Sequence, residues 1–144
     1  MNRTRPRAFT LVELLIVVVI LGILAAIIVP NFTSASEESR TNSLAMTIFR
    51  VRHQLELYKQ EHRNGWPPLA ELEAHLTLAS TAEGQTAEPG TDGYPLGPYL
   101  GKLPNNPCTD DASIGTGGIG TSSWYYDETT GEFRANDTAE HAEF

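Results

Sequence analysis

The feature that most constrains this chain is an apolar run of twenty-one residues from Phe9 to Val29, in which Glu13 is the one charged residue. A helix rises ~1.5 Å per residue, so the run reaches about 31 Å, which matches the ~30 Å hydrocarbon core of a bilayer. The hydrophobic region of an ordinary signal peptide is shorter, at ~7 to 15 residues, and ends at a small-residue cleavage site. Ala25 and Ala26 imitate such a site, but the apolar run continues past them. The run therefore predicts a membrane-spanning helix that is not removed at its far end.

The charges on either side of the run predict its orientation. Three basic residues precede it, Arg3, Arg5 and Arg7. Most acidic residues follow Ser36, so the positive-inside rule places Met1 in the cytoplasm and the chain after Pro30 in the periplasm or outside the cell. The formal net charge is -8 and there is no basic patch beyond Arg50 and Arg52, which argues against nucleic-acid binding.

Glu13 is costly where it stands, because a carboxylate inside a transmembrane helix costs about 2.5 to 3.5 kcal/mol on insertion scales. Two interpretations are open at this point. Either the carboxylate lies close enough to the lipid headgroups to stay hydrated, or it has a buried cationic partner. The position of Glu13 within the run does not by itself decide between them.

The residues from Arg7 to about Phe32 carry a resemblance to a known family. They are similar to the N-terminus of type IV pilins and pseudopilins, in which a short basic leader precedes F-T-L-x-E and an apolar helix with a proline near its end. The resemblance implies that a prepilin peptidase cuts between Ala8 and Phe9 and that the new Phe9 amine is N-methylated. The family nearly always has glycine where this chain has Ala8, which leaves the rate of processing open.

The resemblance also implies a role for Glu13 in subunit assembly. In the family this glutamate pairs with the N-terminal ammonium of a neighbouring subunit, and inside a packed filament each charge is otherwise stranded. Gly22 and Pro30 both weaken a helix, and we interpret them as positions where the helix bends or loosens on assembly. The alternative is that they are merely tolerated in lipid.

Beyond Pro30 the pattern predicts that one long helix runs from about Phe9 to Arg63. Five apolar residues spaced by 4, 3, 4 and 3 share one face of it, Leu44, Ile48, Val51, Leu55 and Tyr58. That face needs a cover. Asn64 and Gly65 supply the left-handed stop that often ends a helix.

The following segment predicts a second, shorter helix and several loops. Leucines at helical spacing indicate a helix from about Leu69 to Leu78. Residues 81–93 and 111–123 are loops by composition, and residues 93–107 hold too many prolines and glycines for regular structure.

The last element is predicted to be a β-hairpin in residues 122–136, with Gly131 at the left-handed position of a four-residue turn. Its small antiparallel sheet is expected to pack on the apolar face of the long helix, and residues 137–144 to form a frayed acidic tail. The fold class is therefore α+β and pilin-like, with a long N-terminal helix, a short second helix, a small antiparallel sheet and long loops.

The C-terminal part resembles the major pseudopilins of type II secretion more than adhesive type IV pilins. The similarity lies in Y-K-x-x-x-x-N-G-W-P-P from Tyr58 to Pro68, in G-P-Y-L-x-K-L-P-x-x-P from Gly97 to Pro107, and in the hairpin W-Y-Y-x-x-x-T-G-E. Type IV pilins often close their C-terminal loop with a disulfide. Cys108 is the only cysteine, so no disulfide can form within this chain, and we expect a partly buried small side chain there.

Many major pseudopilins instead hold a calcium ion in this loop, so the resemblance makes calcium the one candidate cofactor. Asp110, Asp111 and Asp127 are candidate oxygen ligands. A calcium site needs 6 to 8 oxygens, and the family's motif cannot be matched onto this loop residue by residue. The alternative is that these three acids are simply solvated.

No constellation of catalytic residues is visible. The four histidines show no metal-ligand spacing, namely His53, His62, His75 and His141. His53 and His62 fit exposed positions on the long helix, and there is no G-x-S-x-G. We therefore predict that the chain is not an enzyme.

These features predict a structural subunit with three parts. Residues 1–8 are the cleaved leader, residues 9–30 the transmembrane and assembly helix, and residues 31–144 the periplasmic domain. The chain is expected to enter the inner membrane with its N-terminus in the cytoplasm and to polymerise into a periplasmic pseudopilus that drives type II protein secretion. The alternatives are the major pilin of a surface fibre used in adhesion or motility, and a membrane-anchored periplasmic binding module.

The expected partners follow from the resemblance. They are further copies of the chain in a helical filament, other pseudopilins, the prepilin peptidase/N-methyltransferase, the inner-membrane assembly platform, and membrane lipid before assembly. Nucleic acid is not among them.

Overall fold

The computed structural model describes residues 9–63 and 65–144, and it leaves the side chains of residues 28–34 out. The chain divides into two compact units, Met1–Ser39 and Arg40–Phe144. The predicted leader, including Ala8 on one side of the predicted cleavage junction, lies outside the described residues.

The predicted long helix is confirmed. The helix α1 spans Leu11–Glu61 and ends two residues earlier than predicted. Gly22 and Pro30 both lie within α1, where the backbone is helical on either side of them. Gly65 has a φ of +82°, in the left-handed region that favours glycine, as predicted. Asn64, the other half of the predicted stop, lies outside the described residues.

Within the part of the chain that the structure describes, no helix combines the length and the apolar character needed to cross a membrane. The predicted span covers residues 9–30, and the side chains of residues 28–30 are among those that are not described. The membrane span therefore stays a prediction.

The apolar face of α1 in the second unit is buried. All five residues that the spacing places on that face are buried, namely Leu44, Ile48, Val51, Leu55 and Tyr58. The other fully buried members of the core come from α2 and the sheet described below, namely Leu72, Leu76, Trp124, Tyr126, Phe133 and Ala135. Burial of each large apolar side chain stabilises the fold by about 1.5 to 3 kcal/mol, so this core is what holds the second unit together.

The predicted second helix forms in two pieces. A 3-10 turn at Leu69–Glu71 leads directly into the helix α2, Leu72–Thr77. Leu72 and Leu76 lie one turn apart on the buried face of α2. The same four-residue spacing was the basis of the prediction. The second helix is therefore confirmed, with its end one residue before the predicted one.

A small hairpin follows α2, and it corrects the prediction that residues 81–93 are only loop. The strand β1, Ala79–Ser80, pairs antiparallel with β2, Thr86–Ala87. The Ser80 amide also donates to the backbone oxygen of Leu96 (2.8 Å), which ties the hairpin to the proline-rich segment. Two-residue strands carry no alternation of apolar and polar side chains, so the sequence has no periodic signal for them.

The second sheet contains the predicted hairpin and one further strand. The strand β4, Trp124–Asp127, pairs antiparallel with β5, Glu132–Ala135, through a four-residue turn. Gly131 ends that turn with a φ of +76°, as predicted. The strand β3, Ile114–Gly115, lies in the predicted loop 111–123 and pairs parallel with β4, so the sheet is mixed rather than purely antiparallel.

The two faces of the β4–β5 hairpin differ in the way that alternation predicts. Trp124 lies opposite Ala135 and both face the core, where the Trp124 ring lies 5.1 Å from the Phe133 ring. On the other face, the guanidinium of Arg134 lies 4.0 Å above the ring of Tyr125. The predicted packing of the sheet on the apolar face of α1 is confirmed.

The C-terminal tail, residues 137–144, is ordered and bonded to α1, and the prediction of a frayed end was wrong. His141–Glu143 form a 3-10 turn. Arg52 donates from Nη1 to the backbone oxygen of Phe144 (2.6 Å) and from Nε to the backbone oxygen of Phe133 (2.7 Å). One cation of α1 thus holds both the last strand and the chain end, which the acidic composition of the tail did not indicate.

Candidate functional site

The first candidate site is the start of α1, where Thr10 and Glu13 form a capping box. The Glu13 amide donates to Thr10 Oγ1 (3.2 Å), and the Thr10 amide donates to Glu13 Oε2 (2.9 Å). The Thr10 hydroxyl also donates to Glu13 Oε2 (2.8 Å). A threonine at the N-cap and a glutamate three residues later satisfy each other's backbone donors in this way.

The capping box is a role of Glu13 that the sequence analysis missed. Its signal is T-x-x-E directly before an apolar run, which is present at Thr10 to Glu13. The described contacts use two of the roughly four acceptor positions of the carboxylate, both on Oε2. Capacity for a further donor therefore remains, and the predicted pairing of Glu13 with a neighbour's ammonium is compatible with the local bonds.

The apolar residues that follow are uncovered within the isolated chain. Every large apolar side chain from Leu11 to Ile27 is between 48% and 81% exposed, and Phe9 is 77% exposed. A Cβ added at Gly22 would meet nothing within 4 Å. This part of α1 thus presents apolar surface all round rather than along one stripe, which is typical of a helix that is covered by lipid or by other helices.

The second candidate site is the group of acids in the C-terminal loops. Asp127 Oδ1 accepts hydrogen bonds from the Thr129 amide (2.8 Å) and hydroxyl (2.6 Å), which lower the pKa of the Asp127 carboxyl. Asp111 Oδ2 accepts from the Ser113 hydroxyl and from the Ser123 hydroxyl (2.9 Å), which lower the pKa of Asp111. The Asp127 carboxylate therefore stabilises its own turn, and the Asp111 carboxylate also joins its loop to Ser123.

The sequence analysis named these three acids as candidate calcium ligands. Among the described residues, no cluster of three metal-binding side chains contains Asp110, Asp111 or Asp127. Asp127 is the last residue of β4, whereas Asp110 and Asp111 belong to the loop after Pro107. Calcium binding with Asp110, Asp111 and Asp127 as ligands therefore stays a prediction.

The described residues do contain one cluster of mixed metal-binding chemistry, which we call the tail cluster: Cys108, Asp137 and His141. Their ligand atoms all lie within 4.8 Å of one another, and all three residues are partly buried. Asp137 Oδ2 lies 2.7 Å from His141 Nδ1. Cys108 was predicted to be a partly buried thiol, which is confirmed, but the sequence analysis did not join it to His141, 33 residues further on.

Two histidines lie in the interior, and the prediction that His62 is exposed was wrong. His62 is 5% exposed, stacks on the Tyr58 ring at 3.6 Å, and has its Nε2 atom 2.9 Å from Ser80 Oγ. His75 Nδ1 lies 2.8 Å from the Tyr58 hydroxyl. Burial raises the pKa of Tyr58 to about 12, so its hydroxyl stays neutral. These polar side chains satisfy one another and form part of the packed interior.

Two comparisons with known proteins identify the family of the chain. Residues 3–29 match the family model described as the prokaryotic N-terminal methylation motif. The chain is also 32% identical over 110 residues to the type II secretion system core protein G of Klebsiella pneumoniae, across 76% of this chain and 74% of the relative. The chain belongs to the type II secretion system core protein G family.

Other members of the core protein G family are similarly close. The relative from Aeromonas hydrophila is 32% identical over 107 residues, across 74% of this chain and 71% of the relative. The relative from Vibrio cholerae is 33% identical over 108 residues, across 74% and 68%. No solved structure gives a significant match. Core protein G is a major pseudopilin, so the predicted family is confirmed and the chain is a structural subunit of pseudopilin type.

Proposed function

We propose that this member of the core protein G family is cut between Ala8 and Phe9, is anchored in the inner membrane through residues 9–30, and polymerises through the first part of α1 into a periplasmic pseudopilus. The pseudopilus then drives type II protein secretion. The N-terminus faces the cytoplasm before processing, and residues 31–144 face the periplasm. The proposed partners are further copies of the chain, other pseudopilins, the assembly platform and the prepilin peptidase.

The observation that carries the proposal is the uncovered apolar surface of α1, together with the methylation motif that it matches. Full burial of an exposed Val, Leu or Ile side chain stabilises by about 1.5 to 3 kcal/mol, and the side chains from Leu11 to Ile27 are roughly half exposed, so covering them is worth on the order of 10 to 20 kcal/mol. A whole domain is stable by only about 5 to 15 kcal/mol. Such a segment requires a cover, first of lipid and then of neighbouring α1 helices.

Glu13 supplies the direction and register that apolar packing alone lacks, since apolar contacts are non-directional. The capping box holds the carboxylate in the first turn of α1, where it accepts the Thr10 amide hydrogen bond and lies four residues from Phe9 in sequence. We propose that the free ammonium of Phe9 in an adjacent subunit pairs with this carboxylate. Gly22 and Pro30 are proposed as the points where α1 loosens during assembly.

Processing gives a direct test. We expect the chain purified from membranes to begin at N-methylated Phe9, and the Ala8→Gly variant to be processed faster because glycine matches the usual junction. Pulse-chase labelling measures the rate of processing, and intact-mass measurement identifies the N-terminal residue and its methylation. An Ala8→Leu variant is the control, since a bulky side chain at the junction should leave the chain at its full length. A wild-type membrane form that begins at Met1 would contradict the proposal.

Secretion gives the second test. Deletion of the gene is expected to stop export of the proteins that the machine carries, and the wild-type chain supplied in trans should restore it. Export is measured as the fraction of a reporter substrate in the medium. Unchanged export, together with loss of surface fibres in electron micrographs, would instead favour a surface pilin.

A further inference from the structure

The tail cluster holds three different ligand types around one point. Cys108 supplies a thiol, Asp137 a carboxylate and His141 an imidazole. Zinc accepts thiolate, imidazole and carboxylate ligands and can bind three protein ligands and one water, whereas calcium and magnesium take oxygen ligands. The chemistry of the cluster therefore points to a zinc-type ion rather than to a hard cation.

A fully buried side chain positions two of these three residues. Asn106 is 0% exposed, its Oδ1 accepts a hydrogen bond from the Cys108 amide (2.8 Å), and its Nδ2 donates to Asp137 Oδ1 (3.3 Å). The Asn106 backbone amide is in turn bonded to the backbone oxygen of Asp111 (2.8 Å). Outer groups that fix the orientation of ligands in this way are a regular part of metal sites.

The third residue comes from the tail. The His141 amide donates to Thr138 Oγ1 (3.1 Å), and this turn places the imidazole against Asp137. Metal-ligand bonds of ~2.0 to 2.3 Å place the ligand atoms of a tetrahedral site roughly 3.3 to 3.8 Å apart. In the structure the ligand atoms of the tail cluster lie within 4.8 Å of one another. Metal binding therefore requires these atoms to move closer by about 1 Å, which a side-chain rotation of His141 near the chain end can supply.

We propose that the tail cluster binds one Zn²⁺ ion, held by Cys108, Asp137, His141 and a water molecule, and that the ion fastens the C-terminal tail to the loop after Pro107. Binding replaces the thiol proton of Cys108 and the contact between His141 and Asp137 by bonds to the metal. The ion takes the place of the disulfide that a single cysteine cannot form.

The test uses the full-length chain in detergent micelles, with Co²⁺ as a spectroscopic probe and Zn²⁺ as its competitor. We expect one Co²⁺ per chain, a thiolate-to-cobalt charge-transfer band, and its loss when Zn²⁺ is added. Cys108→Ser should remove the band. His141→Gln should weaken Zn²⁺ binding by at least about 100-fold. Even the loss of a group that only hydrogen-bonds to a metal ligand lowers metal affinity by ~10- to 100-fold.

The matched control is His53→Gln, which changes an exposed histidine of α1 outside the tail cluster and should bind Zn²⁺ as the wild type does. Zinc at a hundredfold excess over its Kd should raise the midpoint of thermal unfolding by about 10 °C in the wild type and the control only. Equal Zn²⁺ affinity in the wild type and both cluster variants overturns the proposal, as does a wild type that binds no Zn²⁺. Far-ultraviolet circular dichroism confirms that each variant is folded.

Discussion

The Glu13→Leu chain is expected to insert in the membrane in normal amounts and to form few or no filaments. Insertion should not suffer, because the substitution removes a charge that costs about 2.5 to 3.5 kcal/mol in a transmembrane helix. Assembly should fail, because the ammonium of Phe9 in the adjacent subunit loses its proposed partner. Leaving one member of a buried pair alone costs about 3 to 5 kcal/mol, which is a factor of more than 100 in the equilibrium of each subunit addition.

The measurement compares sheared or overexpressed filaments with the membrane-bound pool of the same cells. Thr10→Val is the matched control, because it removes the hydroxyl bonds of the capping box and keeps the carboxylate. Losing a cap costs about 0.5 to 2 kcal/mol of helix stability, so this variant should still assemble. Equal loss of filaments in both variants would mean that Glu13 acts only as a local cap, and normal yield from Glu13→Leu would refute the pairing.

The second large effect is expected on stability, at the β4–β5 turn. Gly131 has a φ of +76°, and a Cβ built there would lie 2.2 Å from Cε2 of Trp66. Gly131→Ala therefore combines backbone strain with a steric clash against a ring. Each of these effects costs about 1 to 3 kcal/mol, so we expect a loss of about 2 to 6 kcal/mol in the free energy of unfolding.

Urea unfolding of the full-length chain in detergent, followed by tryptophan fluorescence, measures this loss. Gly118→Ala is the control, because a Cβ at that glycine would meet nothing within 4 Å. Its free energy of unfolding should stay within about 0.5 kcal/mol of the wild type, as for most surface substitutions. Similar unfolding midpoints for the two variants would contradict the packing of Trp66 on the turn.

The elements with a long periodic signal were predictable, and the buried face of α1 continues to the residue that follows its last helical residue. The apolar face from Leu44 to Tyr58 is buried as its spacing indicated. One more step of four residues leads to His62, which is buried on the same face. We assigned it to the surface because imidazole is polar, but Tyr58 and Ser80 satisfy its ring nitrogens. Burial follows position on the helix when partners are available.

The short elements could not be predicted, because they depend on partners that are distant in sequence. β1, β2 and β3 have two residues each, and what defines them is a backbone ladder to another strand. The ordered tail depends likewise on Arg52, 92 residues before Phe144. The amino-acid composition of the tail shows its acidic residues, but it does not indicate that Arg52 binds the tail.

The sequence by itself determined the apolar N-terminal segment with its single carboxylate, the long helix, the apolar face that nucleates the core, and the membership of a pseudopilin family. All of these are written in local spacing or in contiguous motifs, which need no knowledge of long-range contacts. Only the tertiary structure decided that His62 lies in the interior and that Cys108, Asp137 and His141 meet. Those outcomes depend on how loops close over the core, and the closing contacts join residues that no local pattern connects.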